Sequence, residues 1–472
     1  MRQPWRVAIV GGGITGLAAA VRLADRAPAD TEITVYEQSG ALGGKLRTGE
    51  LAGGPVEFGA ESFLMRDPAG GESAVLTLVR RLGLADEIVH PTVGQAALVV
   101  DGELRPVPGG TLVGVPGDLE KVAAVAKPAA DADRDGGAPL LAGDADVSVG
   151  ALVRSRLGDA VVDRLVDPML GGVYAGRADD LSLAATMPAL ARAARVEHTL
   201  VGAVRAAQAA APRAPGAPVF GTLAGGLSRL VDAAATASGA TIRRNAAVRE
   251  LTCTATGWRL TVGPTRDPDF VEADAVILAV PAHPAARLLA GVAGLAPGVA
   301  EAVGGLDYAS VALVTVALPG PELPALSGFL VPATEGLTIK ASTFFTTKWG
   351  HLARPDGLAL VRASVGRYGE ESTLQVTDDD LVATVLREVA TVLGTALPAP
   401  VAAHVQRWGG ALPQYTPGHL DRVADVRAAV RAAHPTLALA GAGYDGVGIP
   451  VCVRSGETAA EEIIEAREGS AA

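Results

Sequence analysis

The sequence predicts an α/β protein in which a Rossmann-like domain is interrupted by a β-rich domain and by a helical domain. Three observations carry this. Residues 6–37 read strand, glycine turn, helix, strand (RVAIV, GGGITG, LAAAVRLADR, EITVYE), which is one βαβ unit. Two further apolar runs, Ala275 to Val280 and Leu437 to Ala440, have the unbroken hydrophobicity of strands buried on both faces of a parallel sheet. The chain between these runs changes character: 113–216 holds helix-like segments such as ALVRSRLGDAVVDRLVDPML, and 305–365 holds β-rich runs such as VALVTVAL and LALVRASVG.

Length and composition set the frame for these elements. With 472 residues, 49% of them hydrophobic and 19% charged, the chain is too long for one core and too apolar to be disordered. If one sheet collects all three runs, the nucleotide domain is discontinuous, over 1–86, 217–284 and 436–472. The β-rich domain then spans 87–112 and 285–435, and the helical domain spans 113–216. Pro128 to Asp146 and Ala209 to Pro218 read as mobile or poorly packed loops. Leu190 to Ala210 reads as one amphipathic helix with Arg192, Arg195 and Arg205 on its solvated side.

Several function classes are disfavoured. A net charge of −11 supplies no basic face for a nucleic acid. Mean hydropathy is +0.31, yet no run of about 18 apolar residues reads as a membrane span, which leaves at most weak surface association. The seven histidines have no metal-ligand spacing, and no GxSxG or Cys/His pairing points to covalent catalysis. No signal-peptide pattern precedes VAIV, and Cys253 and Cys452 form no CxxC pair, so a reducing, cytoplasmic setting is expected.

The glycines carry the chemistry. Gly11, Gly13 and Gly16 form GxGxxG between strand and helix, where they allow a tight turn, close approach to a pyrophosphate, and helix-on-strand packing. Glu37 closes the second strand 21 residues after Gly16, where a carboxylate accepts bonds from ribose hydroxyls and disfavours a phosphorylated ribose. Gly43, Gly44, Lys45 and Thr48 follow at once. A second glycine doublet with a cation suits the longer FAD better than NAD. Near the C-terminus, LALAGAGYDGVGIPVC reads strand, glycine turn, helix, with Gly441, Gly448 and Ile449 ahead of or at the helix start.

These motifs resemble those of the flavoprotein family that includes amine oxidases, phytoene desaturases and protoporphyrinogen oxidases. Within it the chain resembles the bacterial porphyrinogen oxidases, above all the Gram-positive type acting on coproporphyrinogen III. The stretches VAIVGGGITGLAAA, PVEFGAESFL, LRPVPGGTLVGVP, DPMLGGVYAGRADDLSLAAT and GAGYDGVGIPVC carry the resemblance, with LVRASVGRYGEES and RWGGALPQYTPGH adding to it. The chain departs from the family pattern at Ala60, where proline is usual, at Val451, where Asp is usual, and in the acidic Pro128 to Asp146 linker.

The resemblance implies an amine-oxidase-like FAD-binding fold and non-covalent FAD, held by Gly11, Gly13, Ile14, Thr15, Gly16, Glu37, Gly43, Gly44, Lys45, Gly59, Ala60, Val248, Gly441, Gly448 and Ile449. It implies oxidation of coproporphyrinogen III in heme synthesis, with flavin N5 and no obvious protein residue doing the redox chemistry, oxygen as acceptor and hydrogen peroxide as product. A downstream ferrochelatase is an expected contact. Arg66 and Arg177 are the expected cations for substrate propionates, and Val173, Tyr174, Phe329 and Leu330 the expected pocket walls. Protoporphyrinogen IX oxidation, amine or polyene oxidation, and a non-catalytic flavin scaffold remain as alternatives.

Overall fold

The computed structural model describes residues 4–67, 70–210 and 216–471. At its centre lies a five-stranded parallel sheet in the order Thr241–Arg243, Thr31–Tyr36, Trp5–Val10, Ala275–Leu278, Leu437–Leu439. The three runs read from the sequence thus share one sheet. Thr241–Arg243 escaped notice because it is short and polar at its ends. Ala275–Leu278 and Leu437–Leu439 are buried at every position, as parallel strands covered on both faces must be.

Each face of this sheet has its own cover. The helices Ile14–Arg26 and Ile449–Ala471 seal Ile9, Val35 and Ile277 with Leu23, Ala460 and Ile463. On the other side Val10, Val276 and Leu278 meet Trp258 and Leu260 of a small antiparallel sheet, together with the helices Ala282–Leu289 and His419–Ala433. The strand order reverses between Trp5–Val10 and Ala275–Leu278. The crevice beyond the carboxyl ends of strands at such a reversal is where open α/β sheets bind ligands.

The second sheet has seven strands, in the order Ala402–Pro413, Tyr308–Pro319, Leu358–Val365, Ile339–Phe344, Gly328–Leu330, Ala96–Val100, Glu103–Pro106. Alternation along its strands sorts the side chains. Val314, Phe329, Phe344, Val361 and Ala363 form a core with Leu381, Val385 and Val389 of the helix Asp378–Leu393. The opposite face is covered only at its ends. Ala317 and Leu360 pack on Leu51, Val56 and Phe58 of the hairpin Thr48–Leu51/Gly54–Glu57, and Leu98 and Leu330 pack on the helical region.

Two expectations about the helical region are corrected. Leu190 to Ala210 is two helices, Pro188–Ala194 and Leu200–Ala210. The break has a chemical cause: the Asp133 carboxylate accepts the Leu200 and Val201 N–H groups at 2.6 and 2.8 Å and so starts a new helix. Asp133 belongs to the Pro128 to Asp146 stretch, which is therefore not a poorly packed linker. Leu141 is buried in the helical core, and Asp146 accepts from Ser182 Oγ at 2.6 Å and Gly418 N at 2.9 Å. Of the other expected loop, 211–215 lie outside the described residues.

The two helices over the nucleotide sheet cross at Gly456, where a Cβ would lie 2.1 Å from the Thr15 carbonyl oxygen. Gly456→Val is therefore expected to destabilise the fold by about 1–3 kcal/mol through overpacking. Denaturant unfolding checks this, and an unchanged midpoint would mean the helices separate freely.

Candidate functional site

The first glycine turn is set by backbone contacts at two positions and by none at the third. Gly11 has φ +112°, and a Cβ there would lie 2.4 Å from Ala279 O; at Gly16 it would lie 2.0 Å from Gly11 O. At Gly13 it would meet nothing within 4 Å. Gly13 is also the N-cap of Ile14–Arg26, with no side chain bonded to the first helical N–H groups. Gly441 repeats the pattern, with φ +124° and nothing within 4 Å. Its turn is held from behind: Gly441 N donates to Ser455 Oγ at 2.8 Å, Ser455 bonds Asp445, and Arg427 pairs with Asp445 at 2.6 Å.

Cys452, in the first turn of Ile449–Ala471, hydrogen-bonds Thr15 and feels the charge of Lys45. Two helix N-termini and a cation thus share one neighbourhood, which favours an anionic group there. Gly448 opens the second helix, its carbonyl accepting Cys452 N at 2.9 Å, and Ile449 is buried. Lys45 has no carboxylate partner among the described residues; burial lowers its pKa, with Cys452 opposing.

Glu37 is 9% exposed. Its carboxylate accepts from Gly12 N at 2.9 Å and Ser39 N at 2.7 Å, so it is fixed by backbone and is no freely solvated acid. Gly43 N donates to Gly12 O at 2.8 Å, which joins the glycine doublet to the first turn. Gly59 and Ala60 back the doublet: Ala60 N donates to Lys45 O at 2.9 Å, and a Cβ on Gly59 would lie 1.9 Å from that oxygen. Val248 lies two residues beyond Ala246, whose N–H donates to Glu37 O at 2.8 Å.

A buried ion cluster then ties this loop to the second sheet. Glu61 accepts from both Lys348 and Arg362, and Arg362 also donates to Gly59 O at 2.9 Å. Burial alone would raise the Glu61 carboxyl, but Lys348 and then Arg362 hold it below its ordinary 4.5. Trp408 Nε1 donates to Phe58 O at 2.9 Å, and Phe58 stacks on His404 with centroids 3.9 Å apart. None of these partners was read as functional from sequence. A charged residue inside an otherwise apolar strand, Arg362 in LALVRASV, was the available signal.

Between its covered ends this face of the second sheet, the cleft face, is only partly covered. Leu313, Leu330, Ala341, Thr343 and Ser364 are all only partly buried, although their neighbours on the opposite face are fully buried. The end of the helix Asp167–Tyr174 closes one side: a Cβ on Gly172 would meet Leu330 Cδ2 at 3.2 Å, and Val173 is 47% exposed. Tyr174 is pushed up to about 12 by burial; its ring meets Tyr415 edge-on at 5.7 Å, and Tyr415 bonds Ala442 O beside Gly441.

Leu330 and the helix end that carries Val173 and Tyr174 therefore lie side by side. Phe329 does not join them. Strand alternation points it to the opposite face, 1% exposed, against Phe344 at 5.9 Å, so it is core and no pocket wall. Arg177 is partly buried and pairs with buried Asp167 at 3.4 Å, so its charge is already matched. Arg66 is exposed and bridges to Glu72 through the backbone.

The residues fit an extended dinucleotide with a flavin. Gly13 and Gly441 leave room where a side chain would intrude, Lys45 and the helix N-termini suit phosphates, and Glu37 suits a ribose. Comparison with known proteins supports the flavin. Residues 14–464 match the family of flavin containing amine oxidoreductases. The coproporphyrinogen III oxidase of Mycobacterium tuberculosis (strain H37Rv) is 38% identical over 475 residues, covering 99% of each chain. That of Bacillus subtilis is 31% identical, covering 97% of each. A solved Exiguobacterium structure, provisionally named a protoporphyrinogen oxidase, has a TM-score of 0.81 at 32% identity, covering 98% of this chain and 99% of its own. The chain belongs to the flavin containing amine oxidoreductase family and has its FAD-binding fold.

Two mutational outcomes follow from this geometry. Gly13→Ala should leave the unfolding midpoint of flavin-free protein unchanged while weakening flavin binding, because only a ligand can clash with the new methyl; Gly16→Ala should lower that midpoint. Equal effects of the two on the flavin-free protein would remove the case for Gly13. Glu61→Ala should cost about 3–5 kcal/mol near neutral pH by leaving two buried cations unmatched. Since the folded Glu61 titrates below its unfolded value of 4.5, its contribution is present above that value and is lost as pH falls through the folded one. The unfolding free energy of the mutant should accordingly depend less on pH in this acidic range than that of the wild type.

Proposed function

We propose that this member of the flavin containing amine oxidoreductase family oxidises coproporphyrinogen III to coproporphyrin III in heme biosynthesis. Non-covalent FAD is the cofactor, oxygen the acceptor and hydrogen peroxide the product. The observation that carries the reading is the end-to-end 38% identity to enzymes named for this substrate. The partly exposed face of Leu313, Leu330, Ala341 and Ser364 supports it with a wall suited to a large apolar ring.

FAD, when bound, supplies a two-electron acceptor, so removal of six hydrogens from a porphyrinogen takes three rounds. The protein's tasks are binding, orientation and exclusion of water. Gly13, Gly44 and Gly441 admit the cofactor, Lys45 offers its phosphates a cation, and Glu37 holds its ribose. Asp445, Ser455 and Arg427 keep the Gly441 turn rigid behind the ring end. Leu330 and Gly172 to Tyr174 bound the substrate space, and Arg66 remains a candidate for a propionate.

The setting proposed is the cytoplasm, with handover of product to a ferrochelatase. No helix among the described residues is long and apolar enough to cross a membrane. The decisive experiment mixes the yellow protein anaerobically with coproporphyrinogen III. Bleaching of the flavin and recovery of coproporphyrin III are expected, and the flavin should be released by heat or acid. Faster bleaching by protoporphyrinogen IX, bleaching by amines alone, or none with any donor would overturn the substrate assignment.

A further inference from the structure

The strand Ile339–Phe344 carries a bulge between Ile339 and Ala341. Ile339 stays in the core under Asp378–Leu393, while Ala341 pairs with Leu330 on the cleft face. Lys340, the extra residue, reaches the end of the helix Asp167–Tyr174, where its Nζ donates to Gly171 O at 3.1 Å. It is 5% exposed.

The charges that act on it directly are of its own sign, and the nearby carboxylates are engaged elsewhere. Arg362 lies on the adjacent strand and Arg367 just past that strand's end. On the helix, Asp167 is occupied by Arg177. Glu370 lies 3.7 Å from Arg367, and Glu388, on the helix over the core face, accepts the Thr338 and Ile339 N–H groups. No carboxylate pairs with Lys340 among the described residues. Burial first, then Arg367 and Arg362, lower its pKa to about 7. A single carbonyl at a helix C-terminus eases this burial but leaves other ammonium donors unmet.

We infer that Lys340 is a specificity-determining residue that receives one substrate carboxylate at the wall formed by Gly171 to Val173 and Leu330. The inference rests on the porphyrinogen reading above. An arriving carboxylate supplies the missing counter-charge and raises the lysine's affinity for its proton. Ligand binding by the wild type should then weaken as pH rises above about 7, where the free lysine has lost its proton.

The test titrates coproporphyrin III, the four-carboxylate product, into full-length FAD-loaded protein and follows porphyrin fluorescence from mildly acidic to mildly alkaline pH. Lys340→Met should weaken binding about tenfold or more at neutral pH, as loss of a charged hydrogen bond does, with flavin content and melting temperature retained. Lys340→Arg should restore affinity and flatten the alkaline loss, because a guanidinium does not titrate there. Unchanged affinity in Lys340→Met overturns the inference. So does a loss of melting temperature and flavin content in step with affinity, which would make Lys340 a helix cap alone. A wild type that takes electrons from other donors yet binds no porphyrin would instead overturn the porphyrinogen reading, and this inference with it.

Discussion

Close backbone approach at the carboxyl ends of the parallel strands is the constraint on which the other features depend. Gly16 touches the Gly11 carbonyl, Gly11 touches Ala279, and Gly456 touches Thr15, each at a distance where a methyl group cannot fit. These contacts bring two helix N-termini and two turns to one place. Protein interiors are packed densely enough that such approaches cannot be opened at one point without shifting the rest. Gly13 and Gly441 stand apart from them because a Cβ at either would meet nothing within 4 Å, although the φ of +124° at Gly441 itself favours glycine. Their small size suits a ligand, whereas that of the others suits the fold.

Electrostatics then joins the loop behind the glycine doublet to the seven-stranded sheet. Glu61 lies on the loop, Arg362 on the sheet and Lys348 on the short helix Phe345–Lys348 that follows the strand Ile339–Phe344, all largely buried. Such a cluster is a weak source of net stability, since desolvation offsets most of the attraction. It is a strong source of position, because a displaced partner leaves an unmatched buried charge. Arg362 spends another donor on Gly59 O, directly behind the Lys45 carbonyl contact. The distance between the loop and the sheet is thus set by hydrogen bonds of fixed length.

What could be read from the sequence was what is local. GGGITG, Glu37, the Gly43 to Lys45 run and the GVGIP turn are contiguous, and their chemistry is that of backbone and a single side chain, so spacing along the chain suffices. The Glu61 cluster joins residues 287 and 301 positions apart, which no short pattern encodes. Phe329 and Leu330 differ by one position and face opposite sides of the sheet, a distinction made by register. The Pro128 to Asp146 stretch misled because acidic, glycine-rich composition suggests a solvated loop, whereas Asp133 and Asp146 are helix-capping and turn-binding acids inside the fold.

Net charge is a poor guide to what such a site binds. The −11 of the chain describes its surface, and beyond about 8–10 Å exposed charges are largely screened at physiological salt. Many of its cations are spent on that surface, as in Arg22 with Glu461, Arg81 with Asp25 and Arg431 with Glu462, pairs that contribute little to stability. Lys45, partly buried, and Lys340, buried, are different in kind, being paired with no carboxylate among the described residues. One stands beside the helix N-termini and the other beside the cleft wall. A cation kept out of water without its counter-ion costs stability unless something else supplies the negative charge. The two lysines therefore mark places where an anionic group would be welcome, and at such places local surroundings outweigh the sign of the whole molecule.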